Sequence, residues 1–207
     1  MEEMSLIRTV NDHFQPFYPH IAEQAIGAYG HQAGDVLEIG PYCPGISLAL
    51  AEGWPGLRIV VGDDRPETNA YFREKIAAAG LEGRVEVRHV DKFALASSEG
   101  SFDLVLFRGG LFFWGDMAGI LREAHRVLRP GGVALVGGGF GAGAPDELIE
   151  AHLPRSRELN RLLNKSRLTS RQVWDALREA GVADHATLDH RHGLWAVLRR
   201  PRGQGEG

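Results

Sequence analysis

Cysteine is almost absent from this chain, with Cys43 the single one. That excludes an intrachain disulfide and any multi-cysteine metal site. Long apolar runs are missing too; nothing approaches the ~20 residues of a membrane helix, so no membrane association is expected. The opening MEEMSLIRTV lacks the basic start and long apolar core of a signal peptide, and a cytoplasmic location is expected. Basic charge is scarce relative to acid. There are 23 Lys and Arg against 27 Asp and Glu, a formal net charge of −4. Broad non-specific binding to nucleic acid is disfavoured by that balance. What remains is ordinary globular chemistry, 207 residues with 43% hydrophobic and 24% charged side chains, enough for one α/β domain.

The chain is organised around DVLEIGPYCPGISLALA, residues 35–51. A short apolar run, a glycine and proline cluster and a run of helix formers spell strand, tight turn, helix. Such a turn holds a ligand at the helix N-terminus. Three ligand classes compete for it. Gly40 and Gly45 have P-loop spacing and Ser47 fits the hydroxyl position, but Ile46 stands where the lysine must be. The same glycines match the first and last of a dinucleotide turn, but Tyr42 fills the middle position. A sulfonium nucleoside is the third option: Glu38 suits its methionine end, and turn N–H groups can hold its carboxylate.

LEIGPYCPG resembles motif I of class I S-adenosylmethionine-dependent methyltransferases, with Tyr42, Cys43 and Pro44 in place of the usual small residues. SFDLVLFRGG and LREAHRVLRPGGVALVGGGFG are similar to that family's fourth strand and to its helix, R-P-G-G and fifth strand. Pro130 is expected to stop the helix and Gly131 and Gly132 to allow the reversal into the strand, with Gly137 to Gly143 a flexible stretch at the pocket rim. The resemblance implies a Rossmann-like α/β fold. Its seven-stranded, mostly parallel sheet has an antiparallel last strand and helices on both faces. It implies an N-terminal helical cap over residues 1–32 and a cofactor-binding domain over 33–199, with a disordered tail at 200–207. The cofactor implied is S-adenosylmethionine, with S-adenosylhomocysteine as product and a small molecule as acceptor.

Asp63 follows the second strand about 20 residues beyond the turn, the place of a ribose-binding acid. Asp64, with Glu67 three residues on, has capping-box spacing for the next helix. The resemblance implies cofactor contacts at Glu38, Gly40, Tyr42, Gly45, Asp63 and Asp64. It places Asp91 at the adenine amino group, the backbone of Lys92 at the ring, and Phe93 on the purine. Arg108 ends the fourth strand, beside the transferring methyl. There it contacts the cofactor and either holds an anionic acceptor in a bidentate way or pairs with Glu38 or another acid and braces the site. His13 and Trp114 are expected to line the acceptor pocket. His20, then Tyr18, are the position-based choices for a general base.

His185, His190 and His192 cluster near the end of the chain, but no metal is expected. Thr169 with Gln172 has capping-box spacing. Monomer and homodimer are both compatible with the sequence. Two other classes stay open: a nicotinamide-dependent oxidoreductase, from the glycine spacing, and a non-catalytic binder of the nucleoside acting as sensor or partner subunit.

Overall fold

The apolar runs form seven strands because alternate side chains feed two separate layers of core. In β1 (Ala33–Ile39), Val36 packs into one layer while Leu37 and Ile39 pack into the other. In β4 (Phe102–Arg108), Leu104 and Leu106 join the first layer, Val105 and Phe107 the second. Burial on both faces explains why these strands read as near-continuous apolar runs. The computed structural model describes residues 3–113 and 115–202. Trp114 and most of the expected tail therefore lie outside the described residues.

The other strands are β2 (Gly56–Asp63), β3 (Val85–His89), β5 (Leu128–Gly139), β6 (Ala186–Asp189) and β7 (Gly193–Arg199). Their order is β3-β2-β1-β4-β5-β7-β6. Pairs from β3 through β5 are parallel, and β7 runs antiparallel to both β5 and β6. From β1 the chain moves outward to β2 and β3, then returns to place β4 on the other side of β1. That reversal opens a crevice at the strand carboxyl ends, where open α/β sheets bind ligands.

Two N-terminal helices, α1 (Glu3–Phe14) and α2 (Tyr18–Tyr29), pack with α3 (Gly45–Gly53) and α4 (Pro66–Ala78) on the first face. On the second lie α5 (Met117–Arg126) and α7 (Ser170–Glu179). The long α6 (Asp146–Leu162) follows β5 and meets α1.

Four local expectations change. The R-P-G-G stretch is not a reversal between helix and strand. It bulges within a continuous β5, whose pairing jumps from Phe102↔Leu128 to Leu104↔Val133, and Gly131 there takes φ +84°. The strand also runs through Gly137 to Gly139, expected as a flexible rim. Asp64 does not cap α4, whose N-cap is Arg65 without a side-chain bond. Residue 200 is not part of a disordered tail. The Arg200 N–H donates to the Gly132 carbonyl at 3.0 Å, and its guanidinium donates to the Arg126 and Leu128 carbonyls, both at 2.9 Å. The Thr169–Gln172 capping box is formed at the start of α7.

Candidate active site

The turn after β1 is shaped by the chain's own aromatic rings. Gly40 takes φ +101°, and a Cβ there would lie 2.6 Å from the Phe107 ring. A Cβ on Gly45 would lie 2.1 Å from the Tyr18 ring. Glu38 is fully buried, and its Oε2 accepts the Ser47 N–H at 2.9 Å. A carboxylate thus meets the positive N-terminus of α3. Burial nonetheless pushes its carboxyl pKa up. Oε1 has no hydrogen-bond partner. Tyr42, whose phenol burial pushes up to about 12, turns its ring toward Gly109 and Phe113.

The acids gather on the same edge. The Gly40 N–H donates to the Gly62 carbonyl at 2.9 Å, and the Val90 N–H donates to the Asp63 carbonyl at 3.1 Å. The turn, the end of β2 and the end of β3 are thereby fixed side by side. Asp63 is 1% exposed. Its Oδ1 accepts Arg65 Nε–H at 2.8 Å and the Arg65 N–H at 3.3 Å, while Oδ2 is buried without a partner. Arg65 reaches on to Glu3 of α1. Asp64 pairs with Lys92. Against the upward push of burial, that ammonium holds the Asp64 carboxyl below its ordinary value. Asp91 accepts the Phe93 N–H at 2.9 Å, and Phe93 is 41% exposed.

Across the switch point, the ends of β4 and β5 meet α1 and α6 around a pocket of about 110 Å³. Phe14, Tyr42, Phe112, Phe113 and Phe140 supply its aromatic wall. Arg108 enters it 7% exposed, its guanidinium 3.8 Å from the centre of the Phe14 ring. Its Nε has no hydrogen-bond partner. Lys165, from the loop after α6, places its ammonium 4.1 Å from the centre of the Phe112 ring. Burial, with Arg108 second, lowers its pKa to about 8. No carboxylate lines this pocket among the described residues.

Of the candidate pocket residues, His13 lies behind this wall and is not among the described residues that line the pocket. Its Nε2 lies 2.8 Å from the hydroxyl of Ser156, which lines the pocket. Burial holds its imidazole below the ordinary pKa. The two residues chosen as general bases lie elsewhere. His20 lines a groove with Gln24, Asp189 and Arg191, facing β6 and β7. Tyr18 is a buried fastener: its hydroxyl donates to Asn11 Oδ1 at 2.6 Å, Asn11 donates to the Cys43 carbonyl at 3.2 Å, and burial raises its phenol pKa. Trp114 lies outside the described residues. Among the C-terminal histidines, His185 stacks on His125 and His192 faces Asp146. The sequence reading missed Arg65, Phe14, Phe140, Ser156 and Lys165. Only Arg65, next to the acid pair, carried a local signal.

Residues 37–136 match the methyltransferase domain family. The chain is 35% identical over 101 residues to a demethylmenaquinone methyltransferase of Thermus thermophilus, covering 49% of this chain and 45% of that protein. It is 27% identical over 178 residues to the 27-O-demethylrifamycin SV methyltransferase of Amycolatopsis mediterranei, covering 82% of this chain and 61% of that one. The chain thus spans about half the length of these curated relatives. A putative S-adenosylmethionine-dependent methyltransferase from Methanococcus maripaludis superposes with a TM-score of 0.79 at 27% identity. That match covers 97% of this chain and 94% of the other. With the sheet order, these matches show a Rossmann-like fold of the kind found in class I S-adenosylmethionine-dependent methyltransferases, similar in sequence to the methyltransferase domain family over residues 37–136.

Proposed function

We propose that the protein transfers a methyl group from S-adenosylmethionine to a small-molecule acceptor and releases S-adenosylhomocysteine. The observation that carries this reading is the pair of acids, Asp63 and Asp91, beside the Gly40 to Gly45 turn at the switch point of the sheet. The residues present fit the cofactor. The unpartnered Oδ2 of Asp63 is the acceptor that a ribose hydroxyl needs. Asp91 is exposed at the neighbouring strand end, open to an adenine amino group, and the exposed face of Phe93 stands by it. Tyr42, bulky for this turn, packs sideways on Gly109 and Phe113.

When bound, S-adenosylmethionine supplies a methyl carbon activated by its sulfonium. The chain's contribution is then alignment and exclusion of water. The acceptor occupies the pocket at the ends of β4 and β5, with α1 and α6 covering it. His13 is neutral near pH 7, because its pKa is lowered from an already near-neutral value. Through the Ser156 hydroxyl it is the group best placed to take a proton from an acceptor. The acidic balance of the chain supports a small molecule rather than a nucleic acid as acceptor. No helix is long and apolar enough to cross a membrane among the described residues; a cytoplasmic location and a monomeric or homodimeric state complete the proposal.

The test is acceptor-dependent release of S-adenosylhomocysteine from S-adenosylmethionine, followed by mass spectrometry across a library of small aromatic and aliphatic acceptors. Release with at least one acceptor, abolished by Asp63→Asn, is expected. Failure to bind or turn over S-adenosylmethionine under any condition contradicts the reading.

A further inference from the structure

Charge and apolarity are combined unusually in the pocket at the ends of β4 and β5. The chain as a whole is acidic, at −4. Yet this pocket is lined by Arg108, Arg157 and Lys165, with no Asp or Glu among its described walls. A buried cation is costly unless something pairs with it. Arg108 is 7% exposed, ends in aromatic rings rather than a carboxylate, and leaves Nε without a partner. Its ring contacts recover part of the cost through cation–π attraction, but they leave its in-plane donors to a ligand. Glu38, which the sequence offered as a brace for Arg108, spends one oxygen on the N-terminus of α3, and no ion pair joins the two.

We infer that the acceptor of this enzyme is a small carboxylic acid, bound with its carboxylate on Arg108 and Lys165 and its apolar body against Phe14, Phe112, Phe113 and Phe140. A guanidinium matches a carboxylate in a two-pronged geometry that a neutral amide cannot reproduce. The ammonium of Lys165, over Phe112, supplies a second positive charge to the same pocket. The pocket's 110 Å³ is below the roughly 150 Å³ of a cavity that encloses benzene. The occupant is therefore small, or its ring moves the α6 wall on entry. This inference rests on the methyltransferase reading, since it assigns that reaction's acceptor.

The experiment is titration calorimetry on the full chain in the presence of saturating S-adenosylhomocysteine, with benzoate, hexanoate and the neutral isostere benzamide as probes. Binding of S-adenosylhomocysteine itself is measured first, separately, for every variant. At least one of the two acids is expected to bind saturably, and its matched amide (benzamide for benzoate, hexanamide, added as a fourth probe, for hexanoate) about tenfold or more weaker. Arg108→Gln and Lys165→Gln should each weaken the acid about tenfold or more and leave S-adenosylhomocysteine binding within about twofold. Lys165 sits on a half-exposed loop, so its variant stays informative if the buried Arg108 change unfolds the protein, as a thermal melt will show. Several results overturn the inference: neither acid binding, an amide matching the acid that binds, Lys165→Gln leaving acid affinity unchanged, or a folded Arg108→Gln weakening only S-adenosylhomocysteine. Loss of S-adenosylhomocysteine binding by the wild type would instead sink the methyltransferase reading itself.

Discussion

A Cβ on Gly45 would sit 2.1 Å from the Tyr18 ring, so Gly45→Ala must push that ring off the turn. The hydroxyl bond from Tyr18 to Asn11 and the bond from Asn11 to the Cys43 carbonyl would be strained with it. Overpacking of this kind costs roughly 1–3 kcal/mol, and a fall in melting temperature of several degrees is expected for Gly45→Ala. Spacing alone suggested that Gly40 and Gly45 serve a ligand. In the folded chain, two aromatic rings from elsewhere account for both, and no local pattern announces that. Asp63 was legible because its place depends only on the length of one strand–helix–strand unit. Lys165 was not, since it meets Phe112 and Arg108 through a loop after α6 far along the chain. At pH values above about 8, free Lys165 loses its proton. Affinity for benzoate should therefore fall as pH rises from about 7 to 9, and Lys165→Gln should flatten that profile.

At the scale of elements, α1 is held by contacts that respond to pH. Burial keeps the pKa of His13 below its ordinary value, and His13 joins α1 to α6 through Ser156. The unfolded chain then binds the proton more readily than the folded one. The stability this contact contributes is present above about pH 6.5 and is lost as pH falls through the folded value. Melting curves at pH 7.5 and 5.5 should show a larger acid-induced drop for the wild type than for His13→Gln. Helix α7 offers a simpler case. Thr169 accepts the Gln172 N–H at 3.3 Å, and its own N–H donates to Gln172 Oε1 at 2.9 Å. Thr169→Ala should cost about 1 kcal/mol, read as a lowered denaturant midpoint. This capping box was visible in four residues of sequence. The apparently equivalent Asp64–Glu67 spacing failed because Lys92, across the strand ends, competes for the same carboxylate. The β5 bulge was missed for a related reason: Pro and paired Gly signal a turn locally, whereas pairing with β4 and the bonds to Arg200 hold the segment in the sheet.

For the whole molecule, the seven-stranded, mostly parallel sheet and its antiparallel last strand were readable from apolar runs and from the resemblance to a known family. The contents of the crevice were less so, because α1, α6 and the β4 and β5 ends converge there from four separate parts of the chain. The ion pairs from Glu3 through Arg65 to Asp63 tie the N-terminal helix to the acid expected to hold ribose. We propose that this acid and its neighbours form a site for a sulfonium nucleoside. Parallel calorimetric titrations of the wild type and Asp63→Asn with S-adenosylhomocysteine and NAD test it most directly. Saturable binding of S-adenosylhomocysteine to the wild type is expected, weakened about tenfold or more in Asp63→Asn, with no binding of NAD. Saturable binding of NAD without S-adenosylhomocysteine would contradict the account.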